Sequence, residues 1–505
     1  MTNHVVAYSR ENGGRVLLLF LLFFLAMYQF VTASFPAFAI ICILPFFVLF
    51  GYLTFKYRMF AFWTLIIVNY FLQFKVIPLS IPMSLPNEML QILLLSIAII
   101  DARQTPHFER CANIMLLAVI IWCTYCTLEI LNDTCGLGIN IGAWYTGARM
   151  MAFQLLYIFL VFSIYISSPE ILMRYLKLWA FMTLFSAFWT WKQQNLGFTA
   201  AEDRFLHGAG ATTHIIQGGT LIRYFSTFSD AANYGCNAAA AAVAFLIFGI
   251  TTKIKKDKWF FIIIALLVVK SMFASGTRTA IFCMIGGISV YVVLSKSFKI
   301  AIPTIIIGGL FLFILAFTKI GHGNQQIRRM RSAFDRSDAS ANVRDINQET
   351  MRKYMRDAPW GIGLGMFGQQ VPANNKYNLI ATIPADSEYV FIWLRTGRIG
   401  ISIFVITMLI MLGGACYVVM FKLKNPSLIG IGGGLCCAFV SIQLGGYANQ
   451  VLMQFPNALT FYGGLTIVYL LPYLEPAWIE LEEKRLAEQK ERERLRLEKK
   501  LASRV

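Results

Sequence analysis

The sequence predicts an all-α membrane fold: a polytopic bundle of about 12–14 transmembrane helices, with two long outer loops and a charged C-terminal helix. Composition is the first reason. Hydrophobic residues make up 57% of the chain, mean hydropathy is +0.62 and 14% of residues are charged, against roughly 25% charged in soluble domains. Recurrence is the second. Apolar runs long enough for a ~30 Å hydrocarbon core follow one another along most of the chain, where a β-barrel would show short alternating segments. Charge placement is the third. With the N-terminus in the cytoplasm, the alternate connections that fall inside are basic: Lys56 and Arg58, Arg103 and Arg110, Arg174 and Lys177, the Lys253–Lys258 group, Lys296 and Lys299, Lys422 and Lys424. That pattern favours an even number of spans with both termini cytoplasmic.

The first run, 16–31, follows Arg10 and Arg15. It reads either as a signal peptide ending at Thr32-Ala33-Ser34 or as an uncleaved first span. The second is expected, because the later spans need a fixed start and orientation works without cleavage. Runs at 37–54, 59–74, 87–100, 112–131, 150–167 and 173–192 lead to the first outer loop, Lys192–Asp230. Runs at 231–250, 259–273, 279–295 and 299–318 lead to the second, Lys319–Ser387. Runs at 388–419, 427–445 and 457–474 close a membrane domain of residues 1–474. The runs near 87–100 and 259–273 are short for a span. Residues 475–505 alternate acids and bases, as in Glu482-Glu483-Lys484-Arg485, and read as a charged cytoplasmic helix with i,i+4 support: a solvated helix is expected, the alternatives being one that lies on the inner membrane surface or pairs with another helix.

The net charge of +18 would suggest nucleic acid in a soluble protein. Here it is largely loop charge that orients the chain and meets anionic headgroups, and no nucleic-acid motif accompanies it. Most of the ten cysteines sit in apolar runs, where thiols behave as small hydrophobes. Cys135 alone is clearly in a polar loop, so no disulfide framework is implied, and the five histidines pair with no cysteine at metal-ligand spacing.

The chemistry is expected in the second outer loop, the long polar segment between apolar spans. It carries ten Lys/Arg against six Asp/Glu. Long loops translocate whatever their charge, but a basic outer loop also fits attraction to an anion. Gly361-x-Gly363-x-Gly365 lacks the strand and helix of a dinucleotide site; a tight turn with Trp360 and Phe367 buried is expected instead. Arg278 lies in a very short outer turn, Ser275-Gly276-Thr277-Arg278-Thr279, where an arginine is expensive unless used. Arg223 precedes Ser226-Thr227-Phe228-Ser229-Asp230, and Asp230 is a natural N-cap for the following span. Asp386 reads either as an N-cap or as a general base at the membrane boundary. His207, His214 and His322 read as lone loop residues. No paired carboxylate or DxD motif supports a two-carboxylate hydrolase or a nucleotide-sugar transferase, and no internal repeat supports a transporter.

At these residues the chain resembles the O-antigen ligase/polymerase superfamily of bacterial inner-membrane proteins. The resemblance rests on Arg223 with Ser226–Gly235, on Ser275-Gly276-Thr277-Arg278, on Pro359 with Gly361, Gly363, Gly365 and Phe367, and on Asp386-Ser387 followed after nine residues by Gly397-x-x-Gly400. Where ligases carry histidine this chain has Asp386, which leans towards the polymerase branch. The resemblance implies glycosyl transfer at the outer, periplasmic face, from a polyprenyl-diphosphate-linked oligosaccharide, with no cofactor, metal or nucleotide required. It implies polymerisation of repeat units for a surface polysaccharide, with a flippase and a chain-length regulator as partners beside membrane lipids. The alternatives are transfer to lipid A core or protein, and transport of a glycolipid or small solute. On this reading Arg223 and Arg278 hold the diphosphate, and Asp386 takes the acceptor proton. Arg328, Arg329, Arg331, Arg344, Arg352 and Arg356 guide the glycan or lipid head.

Overall fold

The computed structural model describes residues 13–32, 35–75, 84–101, 107–216, 219, 221–295, 298–321, 323, 325–331 and 339–502. Ala33, Ser34, Arg103 and His322, and the side chain of Arg344, lie outside the described set. Two compact units divide the chain after Thr64. In the first, α1 (Gly13–Thr32) and α2 (Phe35–Lys56) are apolar over most of their length, with Arg15 near the start of α1 and Lys56 at the end of α2, and pack on each other. Leu17, Phe20 and Phe24 of α1 and Phe46 and Phe55 of α2 remain exposed, as on a lipid-facing surface.

Helix α3 (Phe60–Phe71) crosses the division in sequence. The second unit continues with α4 (Leu85–Ile100), α5 (Ile114–Leu128) and α6 (Ile141–Ala148), which passes through a π-helical turn, Arg149–Phe153, into α7 (Gln154–Tyr165). Next come α8 (Pro169–Asn195), α9 (Ala200–His207), the single turn α10 (Ala211–His214) and the antiparallel pair β1 (Ile215–Ile216) and β2 (Leu221–Ile222), in register Ile215 with Ile222. Then follow α11 (Ala231–Thr251), α12 (Lys255–Ala274), α13 (Thr279–Leu294) and α14 (Phe298–Phe317). The second long loop holds α15 (Gln325–Arg331), α16 (Ala339–Met355) and α17 (Asn378–Thr382). The chain closes with α18 (Glu388–Tyr417), α19 (Pro426–Ala448) and α20 (Gly463–Ala502).

The fold is all-α, and these helices fall on the runs read from the sequence. The span expected at 150–167 starts earlier, at Ile141, because the π turn joins two helices. Six described helical segments are long and apolar enough to cross a membrane: Ile114–Leu131, Ile141–Tyr165, Pro169–Asn195, Ala231–Thr251, Glu388–Lys422 and Pro426–Ala448. The protein is an integral membrane protein. Capping is written locally. The Ser168 side chain accepts from the Ile171 N–H with Pro169 in the first turn, and Asn425 caps Ser427 and Leu428 ahead of the α19 interior, again beside a proline.

The core is a layer of α11, α12, α13 and α19. Small residues allow it. Ala238–Ala244 of α11 are fully buried, and Gly430 and Gly434 of α19 approach Thr251 and Phe248 so closely that a Cβ would overlap them. Close backbone approach gives van der Waals contact where lipid removes the hydrophobic drive between helices.

The C-terminal segment departs from expectation. Residues 475–502 are helical, but one face of their first half, at Trp478 and Glu482, is buried rather than solvated. Glu482 is buried and accepts from Lys253 Nζ at 3.1 Å, Asn425 Nδ2 at 3.0 Å and the Ser427 hydroxyl. Asp257, 1% exposed, is held by Lys177 Nζ at 2.8 Å and Arg485 Nη2 at 2.5 Å. The alternating charges hid this, because the charged partners Lys253 and Asp257 lie more than two hundred residues away in sequence.

Candidate functional site

The site is built on the turn between α12 and α13. Gly276 has φ +57°, a left-handed conformation that glycine adopts without penalty. The turn seats on α11 at Gly235, where a Cβ would overlap the Ser275 hydroxyl, and the Thr277 hydroxyl donates to the Ala231 carbonyl at 2.7 Å. Two arginines from distant sequence clamp it. Arg223 donates from Nε to the Ser275 carbonyl (3.3 Å), from Nη1 to the Thr213 carbonyl (2.9 Å) and from Nη2 to the Thr277 hydroxyl (3.1 Å). Arg329, on α15, donates from Nε to the Gly276 carbonyl at 2.9 Å. A Cβ on Gly276 would sit 3.2 Å from Arg223 Cγ and 3.4 Å from Arg329 Cδ, so the two side chains flank the glycine. Arg278 is half-buried at the N-cap of α13. Arg223, Arg278 and Arg329 therefore share one turn.

The wall behind Arg223 is ordered by α8. Ser226 has φ +54°, rare for a residue with a Cβ. It is held there by Gln193 Oε1, which accepts from its N–H at 3.0 Å, and by the Ser186 carbonyl, which accepts from its hydroxyl at 2.7 Å. Asp230 caps α11 as expected, accepting from the Ala232 and Asn233 N–H groups at 2.8 and 2.9 Å. His214, read as a lone loop residue, is buried. Its Nε2 accepts from the Ala231 N–H at 3.1 Å, so Nδ1 carries the proton and faces the Gly210 carbonyl at 3.0 Å. Burial pushes its pKa down to about 4. Lys75 lies close enough for its charge to act on both His214 and Asp230. Burial lowers its pKa while Asp230 opposes the shift, and its ammonium lies 4.1 Å from the Phe205 ring centroid.

The loop between α19 and α20 joins this turn to Asp386. Asn449 Nδ2 donates to the Thr279 hydroxyl at 3.2 Å, one residue from Arg278, and Gln450 Nε2 donates to the Ala385 carbonyl, one residue from Asp386. The Ser387 hydroxyl donates to the Gly446 carbonyl at 3.1 Å, and the buried Glu388 carboxylate accepts from the Leu452 N–H at 3.0 Å. Asn457 Nδ2 donates to Asn233 Oδ1 at 2.6 Å, tying the same loop to α11. Asp386 is exposed and is not the cap of α18. That position belongs to Ser387, whose hydroxyl is turned to α19 instead.

The glycine-rich turn proves to be part of the α18 break. Gly397 has φ +66° inside α18, and a Cβ there would overlap the Pro359 carbonyl. The loop pairs with the opened helix: Ile362 N–H to the Leu394 carbonyl (2.9 Å), Gly363 N–H to Arg395 (3.0 Å) and Arg398 N–H to Pro359 (2.9 Å). Gly365 abuts the Ala143 backbone of α6. Trp360 and Phe367 are 51% and 37% exposed, contrary to the expectation that they are buried, because glycine backbone fills the contact. Cys135, expected in a polar loop, is buried under this turn and donates to the Ile362 carbonyl at 3.3 Å.

Of the remaining arginines, Arg328 and Arg331 are half-buried on α15, the latter donating to the Ile320 carbonyl at 3.0 Å. Arg352 lies on the exposed side of α16 and Arg356 is exposed in the turn just after it, while Met351 and Met355 of α16 pack against Ile362 and Leu394. They are not brought to the Gly276 turn by any described contact.

Residues 263–405 match the sequence model of the O-antigen ligase family. No curated protein matches the chain. The matched O-antigen ligase segment carries Arg278, Arg329, the glycine turn, Asp386 and Gly397, whereas Arg223 reaches it from outside. Sequence reasoning missed Lys75, Asn449, Gln450 and Glu388, which follow no motif. It also missed Arg395, 4% exposed and stacked on Phe391 and Phe367 at 5.0 and 5.4 Å, with Nε and Nη1 lacking hydrogen-bond partners among the described residues.

Proposed function

We propose that the chain polymerises polyprenyl-diphosphate-linked oligosaccharide repeat units at the outer face of a bacterial inner membrane, both termini being cytoplasmic. The observation that carries this reading is the convergence of Arg223, Arg278 and Arg329 on one turn within the O-antigen ligase segment. Planar, permanently charged guanidinium groups suit a diphosphate. In the proposed step an acceptor hydroxyl attacks the anomeric carbon and gives its proton to Asp386. The bond from that carbon to the diphosphate breaks, and the leaving diphosphate keeps the electron pair, stabilised by Arg223, Arg278 and Arg329. Lys75 adds a further cation beside Asp230. Arg328 and Arg331 retain the head group; Arg344, Arg352 and Arg356 guide the glycan.

A cavity of about 610 Å³ supports a lipid-bearing donor. It is lined by Leu184, Phe188 and Trp191 of α8, Leu267 and Phe273 of α12, and Ile320 and Ile327. Phe273 lies two residues before Ser275, and Ile327 two before Arg329, so an apolar tail there would leave its diphosphate at the arginines. The second reading is transfer of the same donor to lipid A core or protein, favoured by the description of the matched family.

The deciding experiment uses purified protein in liposomes with a synthetic polyprenyl-diphosphate repeat unit, chelator and no nucleotide sugar. A ladder of lipid-linked repeats is expected, and Arg278→Ala should reduce it by ~10²-fold or more, the scale of losing a transition-state charge partner. Glycan appearing only on added lipid A core or acceptor protein would replace polymerase by ligase. An unchanged ladder in folded Arg278→Ala protein would remove the arginine assignment.

A further inference from the structure

At the opposite end of α12 from the Gly276 turn, about 30 Å away along a twenty-residue helix, lies a second cavity of about 610 Å³. Its walls are the start of α12, Lys177 of α8 and the 485–496 stretch of α20. Six cations line it: Lys177, Lys255, Lys256, Arg485, Arg492 and Arg496. Three carboxylates oppose them. Asp257 is shared by Lys177 and Arg485, Glu493 takes Lys255 at 3.0 Å, and Glu488 takes Arg492 at a loose 3.8 Å. The cavity thus keeps an excess of positive charge in a half-enclosed recess, and Lys256 and Arg496 are exposed at it.

Its surroundings are not those of a soluble-ligand site. Trp259 lines the cavity and is 60% exposed. Ile263 and Leu266 follow at helical spacing on α12, 52% and 63% exposed. An exposed tryptophan between charge and an apolar helical stripe marks a membrane–water interface. The cavity and the stripe together fit a ligand with a phosphate head and an apolar tail.

We propose that this cavity binds the phosphate head group of an anionic membrane phospholipid, whose acyl chain lies along Trp259, Ile263 and Leu266, and which bridges α20 to α12. The site is independent of the glycosyl-transfer reading, since none of its residues belongs to that site.

The test uses the full-length protein in detergent, titrated with phosphatidylglycerol or phosphatidylcholine, with bound lipid counted by native mass spectrometry. Tryptic cleavage in the 484–500 stretch is followed in parallel. The triple variant Lys256→Gln, Arg492→Gln, Arg496→Gln alters exposed side chains only, and its gel-filtration profile checks the fold. Phosphatidylglycerol should bind the wild type in preference to phosphatidylcholine and slow cleavage. The triple variant should lose that preference by about a hundredfold, from roughly one cation's attraction per residue removed. Equal binding of the two lipids, or an unchanged preference in the variant, would overturn the proposal. Inorganic pyrophosphate slowing cleavage as well as phosphatidylglycerol does would assign the cavity to a soluble anion and overturn its lipid source.

Discussion

His214 shows how one side chain sets the order of the arginine wall. It must be neutral, because Nε2 accepts the Ala231 N–H at the start of α11. Its pKa is about 4 in the fold against 6.5 for the free side chain. The unfolded chain therefore binds more protons between these values, so stability is fully present above pH 6.5 and is lost as pH falls towards 4. The loss is on the order of 3 kcal/mol for a shift of this size. Hydrogen exchange of residues 211–235 at pH 7 and pH 4 should show it, and His214→Gln, which keeps an acceptor but cannot charge, should flatten the dependence. The sequence marked Arg278 because it stands in a very short turn between two apolar runs, and Arg223 and Asp230 because they stand where a long loop meets an apolar run. It could not mark His214, Lys75 or Asn449, whose partners are backbone groups or charges brought up by packing. Arg329 was one of seven arginines in its loop, with nothing in the sequence to separate it from Arg352.

At the scale of elements, the helices were legible because apolar length and capping residues are local properties. The glycine turn was only half legible. Gly361, Gly363 and Gly365 announced a tight backbone, but their partner was the opened α18 at Gly397, and a contact between two glycine segments leaves no side-chain pattern. Gly397→Ala should therefore be costly, adding an unfavourable φ to an overlap with Pro359, for roughly 2–4 kcal/mol. Gly413→Ala, on the same helix with open space around it, should be neutral or slightly stabilising. Thermal unfolding of the two variants in matched detergent checks the contrast. Equal melting temperatures would mean that the break at Gly397 is not held by the loop.

Across the whole molecule, α20 ties the end of the chain to the helical layer. Burial alone would raise the Glu482 pKa, but hydrogen bonds from Ser427, Asn425 and Lys253 outweigh it and hold the carboxyl below its usual range. Its contribution is present above the free glutamate value and is lost as pH falls through the lowered one. Glu482→Gln should loosen the latch by about 1–3 kcal/mol, the cost of unmaking buried charge-assisted bonds. It should expose the following arginines and lysines to trypsin without changing transfer activity. Unaltered cleavage would show that the latch does not hold the segment. The bridging loop Asn449–Asn457 carries a different lesson. It fastens the start of α18 through the Ala385 carbonyl and the Glu388 carboxylate, and the end of α19 holds the Ser387 hydroxyl, so the three contacts lie on either side of position 386. The scaffold thus surrounds that position without bonding through it in any of these contacts. Exchanging the group at 386 is therefore expected to leave these three contacts, and the helix start they fasten, in place.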